Sequence, residues 1–173
     1  RKLIPLYHHW HQNPELSFQE EKTALRFSEE LRKAQFEVTS SFGGHGVVGV
    51  LKNGKGPTLL LRTDLDALPL AEATGLEYAS KAKSRTSDGT EVPVMHACGH
   101  DLHMTNMVGV AHYLQHHKSR WQGTVIMIGQ PAEEKGGGAR AMLKAGLFSK
   151  FPKPNYALAL HVDASQAEIG RAH

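Results

Sequence analysis

The residues best suited to metal binding or catalysis in this sequence lie in one short stretch, MHACGHDLH, at residues 95–103. It contains three histidines, one aspartate and Cys98, the only cysteine of the chain. On an extended or turning segment, the Cys98 thiolate and the His100 imidazole can reach one divalent cation. Zinc, or a borderline ion such as nickel, cobalt or manganese, suits this pair. A small buried thiol beside surface histidines is the alternative for this stretch taken alone.

Residues of metal-ligand or acid–base type also follow three apolar runs of strand length. They are Asp64, Asp66, Glu133, Glu134 and His161. In an open α/β sheet, functional groups gather beyond the carboxyl ends of the strands. We therefore expect these side chains to converge at one sheet edge with Cys98 and His100. Capping of a turn is the alternative for one of the two aspartates.

The adjacent carboxylates Glu133 and Glu134 predict a division of labour. Both cannot point at the same metal from one backbone without strain, so we expect one to bind the metal and the other to hold a water. A metal lowers the pKa of its bound water, and a nearby carboxylate can take the proton as that water attacks a carbonyl. The same carboxylate can then pass the proton to the leaving nitrogen. The pair therefore predicts hydrolysis of an amide.

Three helices are predicted from apolar residues at near-helical spacing. They fill much of 14–34, then 101–116 and 139–145. Ser17 and Glu20 have the spacing of a capping box in the first helix. His8, His9 and His11 precede a proline-containing turn with no acidic or thiol residue nearby in the sequence, so a native metal site is not expected there.

The predicted strands alternate with these helices. They lie at 36–39, 47–51, 58–62, 124–129 and 156–160. The polar segment 71–93 is expected to be a long loop that leads to Cys98. Such alternation predicts an α/β fold with a mostly parallel, mixed open sheet and helices on both faces. At 173 residues, one domain with a full core is expected.

Several functional classes are disfavoured by context. Residues 44–49 match G-x-G-x-x-G, but the motif runs into β-branched residues instead of opening a helix, so it does not predict dinucleotide binding. The glycines at 136–138 lack the Lys-Ser/Thr ending of a phosphate loop. The net charge is +3, but lysines and arginines are scattered among acidic residues, so nucleic acid is not an expected partner.

A membrane partner is not expected either, because no run of 18 apolar residues is present. The single cysteine cannot form an intramolecular disulfide. Nothing in the cysteine content therefore calls for an oxidising compartment, and a cytoplasmic location is predicted.

Five motifs, in the same order along the chain, resemble the dinuclear-metal amidohydrolases. This family includes hippurate hydrolase, N-acyl-amino-acid amidohydrolases and auxin-conjugate hydrolases, within a wider clan of aminoacylase and carboxypeptidase-like metallopeptidases. The motifs are HQNPELSF (11–18), RTDLDALP (62–69), MHACGHDLH (95–103), QPAEEKGGG (130–138) and LHV (160–162). Together they cover nearly the whole chain, which makes the resemblance specific.

The resemblance implies a role for each candidate residue. The implied metal ligands are Cys98, His100, Glu134 and His161, with Cys98 where related enzymes place a bridging carboxylate. Glu133 matches the general base, and Asp66 matches the aspartate that orients a metal ligand. Asp64 lies where many clan members carry a metal-binding histidine. Two divalent ions per active site are implied, of zinc, manganese, cobalt or nickel.

The resemblance also implies parts that this sequence does not contain. Family members are much longer, with an inserted smaller domain that helps to bind substrate and to dimerise, and with a last histidine ligand far along the chain. Residues 1–173 are therefore expected to be the N-terminal portion of a zinc-peptidase-like catalytic domain, without the lid and dimerisation domain. A homodimer is expected for the full-length protein.

The predicted function is metal-dependent hydrolysis of the amide bond of N-acyl amino acids or small peptides. The alternative is a metal-binding or interaction fragment of such an enzyme that does not turn over. A cysteine hydrolase that uses Cys98 with a nearby histidine is a poorer hypothesis. A thiolate nucleophile needs a positioned base and an oxyanion hole, but it would not need Glu133, Glu134 or His161.

Overall fold

The computed structural model describes residues 3–163. The helices are α1 (Leu3–Gln12), α2 (Glu21–Lys33), α3 (His100–His116), α4 (Gly138–Lys144) and α5 (Leu147–Lys150), with a single 3-10 turn at Lys118–Arg120. The strands are β1 (Glu37–Thr39), β2 (Val47–Asn53), β3 (Thr58–Asp64), β4 (Lys83–Arg85), β5 (Glu91–Pro93), β6 (Gly123–Gln130) and β7 (Tyr156–Ala159).

Five of the strands form one mixed sheet in the order β1-β2-β6-β3-β7. β3 is parallel to both β6 and β7, whereas β2 is antiparallel to β1 and β6. In the register of the parallel strands Asp64 pairs with Gln130, and Arg62 pairs with Ala159. The carboxyl ends of these three strands therefore meet at one edge of the sheet, and the chain leaves each of them towards the same region.

Apolar side chains cover both faces of the sheet. On one face α1, α2 and α3 pack against the sheet through residues such as Trp10, Phe27, Met104 and Met127. On the other face Met142 and Leu147, from α4 and α5, pack against strand residues including Ile126. The prediction of a mixed open sheet with helices on both faces is confirmed, and its parallel part consists of β6, β3 and β7.

The predicted helix within 14–34 begins later than expected, and the prediction of a capping box at Ser17 and Glu20 is wrong. α2 starts at Glu21, because Leu16 forms a β-bridge with Ala67 and Phe18 has a positive φ of 67°. The Ser17 hydroxyl donates to Asp66 rather than capping a helix. The Glu20 carboxylate accepts hydrogen bonds from the backbone N–H groups of Phe18 and Ala132. Contacts with distant segments thus replace the local helical turn.

Two further elements differ from the sequence prediction. Helix α1 was not predicted, because its histidines interrupt the apolar periodicity of the sequence. Leu6 and Trp10 are nevertheless buried on one face of this helix. The segment 71–93, predicted as a long loop, contains the antiparallel pair β4–β5. Within residues 3–163 no helix has the length and apolar character needed to cross a membrane.

Candidate metal and catalytic site

The candidate residues come from four segments that meet at the carboxyl edge of the parallel strands. Asp66 follows β3, Glu133 and Glu134 follow β6, and His161 follows β7. His100 is the first residue of α3, directly after Gly99, whose left-handed backbone (φ 77°) turns the chain into the helix. The predicted convergence of the ligand-type residues at one sheet edge is thus observed.

His100 lies at the centre of the cluster and is completely buried. Its Nδ1 donates to the backbone carbonyl of Asp66 at 2.7 Å, which leaves Nε2 as the nitrogen with a lone pair. Nε2 lies 3.9 Å from a carboxylate oxygen of Glu133 and 3.9 Å from one of Glu134. It has no hydrogen-bond partner within residues 3–163. An imidazole whose Nδ1 is held by a carbonyl in this way can offer Nε2 to a metal.

The surroundings of His100 favour positive charge. Burial lowers the pKa of His100, but the hydrogen bonds to Asp66 and the negative charge of Asp64 outweigh it and raise the pKa above its usual value. The buried oxygens Asp66 Oδ1 and Glu134 Oε1 also have no hydrogen-bond partner among the described residues. Of these two oxygens Glu134 Oε1 lies beside Nε2, at 3.9 Å, and a buried acceptor without a partner at that place fits a bound cation, because otherwise its desolvation would go uncompensated.

Three groups of donor atoms share His100: one contains Asp64 and His103, and the other two contain the predicted metal ligands. Cys98, His100 and His161 form one group, and His100, Glu133 and Glu134 form the other; within each group the ligand atoms lie within 4.8 Å of one another. The Cys98 sulfur is 3.3 Å from Nε2 of His161. Thiolate, imidazole and carboxylate donors fit zinc and the neighbouring divalent ions. All four predicted metal ligands and Glu133 are therefore brought together.

Cys98 is electrostatically unsuited to act as a free nucleophile. Burial, together with the negative charges of Glu134 and Glu133, raises the pKa of its thiol to about 11. The reactive form of cysteine is the thiolate, which requires a lowered pKa near neutral pH. This environment disfavours the cysteine-hydrolase alternative, whereas a cation at the sulfur would oppose the effect of the two carboxylates.

Asp66 connects His100 to the loop that carries the two glutamates. Its backbone carbonyl accepts from His100, and its Oδ2 accepts from the Glu134 backbone N–H at 3.0 Å and from the Ser17 hydroxyl at 2.6 Å. The two glutamate side chains differ in exposure, with 36% for Glu133 and 20% for Glu134. The more open carboxylate is thus that of Glu133, for which the family resemblance implies the role of general base.

Asp64 is buried and hydrogen bonded at both oxygens. His103 Nδ1 lies 2.8 Å from Oδ1, and Arg62 donates to Oδ2 at 2.9 Å. Burial raises the pKa of Asp64, but the hydrogen bond from His103 and the charges of His100 and Arg62 outweigh it and lower the pKa to about 2. Asp64 is therefore an ionised anchor for its neighbours.

Two residues of the site region were missed by sequence reasoning. His103 contacts Asp64, and the signal that could have identified it is its spacing of three residues from His100 on one helix. His11 lies between two carboxylates, with Asp101 at 2.6 Å and Glu72 at 3.0 Å. Burial lowers the pKa of His11, but these hydrogen bonds raise it overall. The expectation that His11 has no acidic neighbour holds only for its surroundings in the sequence.

A cleft of about 680 Å³ opens beside the cluster of predicted metal ligands. Its walls include Cys98 and His161 together with Tyr7 and His11 of α1. Burial and the negative charge of Asp101 raise the pKa of Tyr7 to about 12, so its hydroxyl stays protonated. Two of the predicted metal ligands, Cys98 and His161, thus line an open cleft.

Comparison with known proteins confirms the resemblance of the five motifs. The profile of the family described as Peptidase family M20/M25/M40 matches residues 60–172. Hippurate hydrolase of Campylobacter jejuni is 45% identical over 145 residues, which are 83% of this chain and 35% of that protein. Thermostable carboxypeptidase 2 of Saccharolobus solfataricus is 38% identical over 167 residues, or 94% of this chain and 39% of that protein.

A solved structure shows the same fold. The Bacillus subtilis YXEP protein, described as a dinuclear metal binding peptidase from the M20 family, matches with a TM-score of 0.81 and 35% identity. The match covers 94% of this chain and 42% of that one. The chain thus spans less than half the length of each of these three proteins.

Proposed function

Because the chain belongs to peptidase family M20/M25/M40, we propose that it forms part of a metal-dependent hydrolase that cleaves the amide bond of N-acyl amino acids or small peptides. One observation carries the proposal: the unpaired Nε2 of buried His100 is surrounded by the side chains of Glu133, Glu134, Cys98 and His161. The names of the similar hippurate hydrolase and carboxypeptidase support the two substrate classes.

We assign the roles from donor chemistry and position. Cys98, His100, Glu134 and His161 hold two divalent ions, of zinc, manganese, cobalt or nickel. When bound, such ions supply Lewis acidity towards a carbonyl and lower the pKa of water. Asp66 keeps His100 in the tautomer that presents Nε2, because the Asp66 carbonyl accepts the Nδ1 proton.

Glu133 is the proposed general base. Its carboxylate takes a proton from the attacking water and returns it to the nitrogen of the leaving amine, so that one group serves both proton transfers. Glu133 suits this role because its side chain is more exposed than that of Glu134 and one of its carboxylate oxygens lies 3.9 Å from His100 Nε2. Glu134 is oriented through its backbone N–H by Asp66, as suits a ligand.

Turnover and metal content, measured together, test the proposal. In Glu133→Gln we expect bound metal to be retained, while hydrolysis of an N-acyl amino acid falls by roughly 10²–10⁴-fold, the usual contribution of general acid–base catalysis. In Cys98→Ala, dialysed against metal-free buffer, we expect at least one equivalent of metal to be lost. Elemental analysis and an amine-release assay provide the two readouts.

The matched control is Glu91→Gln, which removes an exposed glutamate of β5 outside the site. It should change neither metal content nor turnover. Full activity of Glu133→Gln would contradict the proposed base. A folded, metal-loaded wild-type protein without turnover would favour the alternative of a metal-binding or interaction fragment, which the partial coverage of the relatives keeps open.

The whole-protein properties remain proposals. We propose that residues 1–173 correspond to the N-terminal portion of the catalytic domain, and that the lid and dimerisation domain and the last histidine ligand belong to a longer protein. A homodimer of that protein and a cytoplasmic location stay predictions from the sequence.

A further inference from the structure

Within residues 3–163, His161 lies on a segment that only one neighbouring strand, β3, supports. Strand β7 is at the sheet edge, and all four of its residues are exposed. Residues 161–163 have no regular secondary structure and are themselves exposed. A metal ligand on such a segment has to be held by another part of the protein, because affinity depends on ligands whose positions are fixed before the metal binds.

His103 of α3 makes the contact that holds this segment. The backbone N–H of Val162, the residue next to His161, donates to His103 Nε2 at 2.9 Å. The imidazole rings of His103 and His161 also meet edge to face, with their centroids 4.6 Å apart. Since His103 is buried, breaking this hydrogen bond would leave a buried nitrogen without a partner.

The orientation of His103 is itself determined by Asp64. Because Nε2 accepts a hydrogen bond from Val162, Nδ1 carries the proton and donates to Asp64 Oδ1 at 2.8 Å. Asp64 in turn accepts from Arg62 at 2.9 Å. A continuous series of hydrogen bonds therefore joins strand β3 to the backbone beside His161.

Gly99 provides a second, independent contact. A Cβ atom at this position would lie 2.5 Å from Cγ2 of Val162. The absence of a side chain at Gly99 thus lets Val162 pack against the turn before α3. Both contacts hold Val162 against the N-terminal part of α3 and the turn before it, where His100 and Cys98 lie.

We propose that His103 is a positioning residue: it holds residues 161–163 so that the His161 imidazole stays beside Cys98, and it does not itself bind the metal. The inference rests on the proposed function, in which His161 is a ligand. Asp64, His100 and His103 also form a group of potential ligands within 4.8 Å. Both nitrogens of His103 are occupied by Asp64 and Val162, which argues for the positioning role.

Three substitutions of His103 separate its two hydrogen bonds. The longer amide of His103→Gln reaches the place of Nε2 and can accept from Val162. The shorter amide of His103→Asn reaches the place of Nδ1 and can donate only to Asp64, and His103→Leu can do neither. His116→Leu is the control, since it removes an exposed imidazole from the same helix.

The first measurement is amide hydrogen exchange of Val162 in the metal-free intact protein. We expect exchange at least tenfold faster in His103→Asn and His103→Leu, and close to the wild-type rate in His103→Gln and His116→Leu. The second is metal affinity, which we expect to fall about 10–100-fold in the Asn and Leu variants, the usual effect of losing a residue that orients a ligand. Circular dichroism checks that each variant is folded.

The His161→Ala background decides between positioning and direct binding. If His103 acts through His161, His103→Leu weakens metal binding no further in that background. A further tenfold loss there would show that His103 binds metal itself and would overturn the proposal. Unchanged exchange and affinity in all three His103 variants would overturn it as well. If the wild-type protein binds no metal, the proposed function fails, while the exchange rates still decide whether His103 holds the segment.

Discussion

At the scale of single residues, the site depends on histidines and carboxylates that determine each other's protonation. His100 presents Nε2 because its Nδ1 proton is held by the Asp66 carbonyl. His103 and Asp64 form a similar pair one helical turn away. The residue types in the motifs predict a metal site, but the tautomers follow from the partner of each ring nitrogen.

The lowered pKa of Asp64 predicts how the unfolding free energy depends on pH. Its pKa in the folded protein is lowered to about 2 from 3.8, so its contribution to stability is complete above pH 4 and is lost as the pH falls towards 2. We expect metal-free wild type to exceed Asp64→Asn in unfolding free energy by about 2 kcal/mol at pH 5, since each pKa unit corresponds to about 1.4 kcal/mol. The difference should shrink between pH 4 and pH 2.

Urea unfolding of both proteins at several pH values provides the measurement. Glu77→Gln, which removes an exposed glutamate from the segment 71–93, is the control for the loss of a carboxylate. A difference between wild type and Asp64→Asn that stays constant from pH 5 to pH 2 would contradict the assignment of a lowered pKa to Asp64.

At the scale of elements, sequence periodicity predicts the type of most elements and misplaces some boundaries. Strands β3 and β6, which lead to Asp66 and Glu133, are present because continuous apolar runs suit strands inside a sheet, whereas β7, before His161, lies at the sheet edge. The helix predicted within 14–34 loses its first part because Glu20 and Ser17 bond to Ala132 and Asp66. Partners so far along the chain leave no periodic signal.

The turn before α3 is the element that should tolerate substitution least. Gly99 and Gly54 have the same φ of 77°, but only Gly99 has a neighbour where a Cβ would lie. We expect Gly54→Ala to lower the unfolding free energy by about 1 kcal/mol, the cost of a left-handed backbone. Gly99→Ala should cost more than Gly54→Ala, because Val162 must also move.

Urea unfolding gives the free energies, and elemental analysis gives the metal content of the same samples. Only Gly99→Ala is expected to lose metal, since only this substitution displaces the segment next to His161. Equal free energies of unfolding for the two variants would show that the close approach of Val162 to Gly99 does not affect stability.

At the scale of the whole molecule, the sheet and its two apolar faces provide the rigid support for the site. Phe27 of α2 is completely buried in the core formed by α1, α2 and α3, whereas Leu25 of the same helix is 57% exposed. We expect Phe27→Ala to lower the unfolding free energy by about 3–5 kcal/mol, through lost burial and the cavity that remains. Leu25→Ala is the matched control and should change it by less than about 0.5 kcal/mol.

Thermal and urea unfolding of these two variants measure the effect. A loss below about 1 kcal/mol for Phe27→Ala would mean that this core is not the main source of stability, given that large-to-small changes at buried sites normally cost several times more.

The sequence alone determined the chemical nature of the site and much of the fold class. Local patterns sufficed for this: a dense histidine–cysteine motif, paired glutamates and strand-length apolar runs lie within short stretches of chain. Parallel strands in an open sheet bring such groups together at one edge, so the convergence of Cys98, His100, Glu134 and His161 could be predicted.

Only the tertiary structure decided which groups pair across the chain. His103 meets Asp64 across 39 residues, and His11 meets Asp101 across 90. The antiparallel pairing of β2 with β6, the late start of α2 and the hairpin within 71–93 are also contacts between segments. The physical reason is that periodicity and turn chemistry act over a few residues, whereas a hydrogen bond between buried groups is specified only when the packed core brings its two partners together.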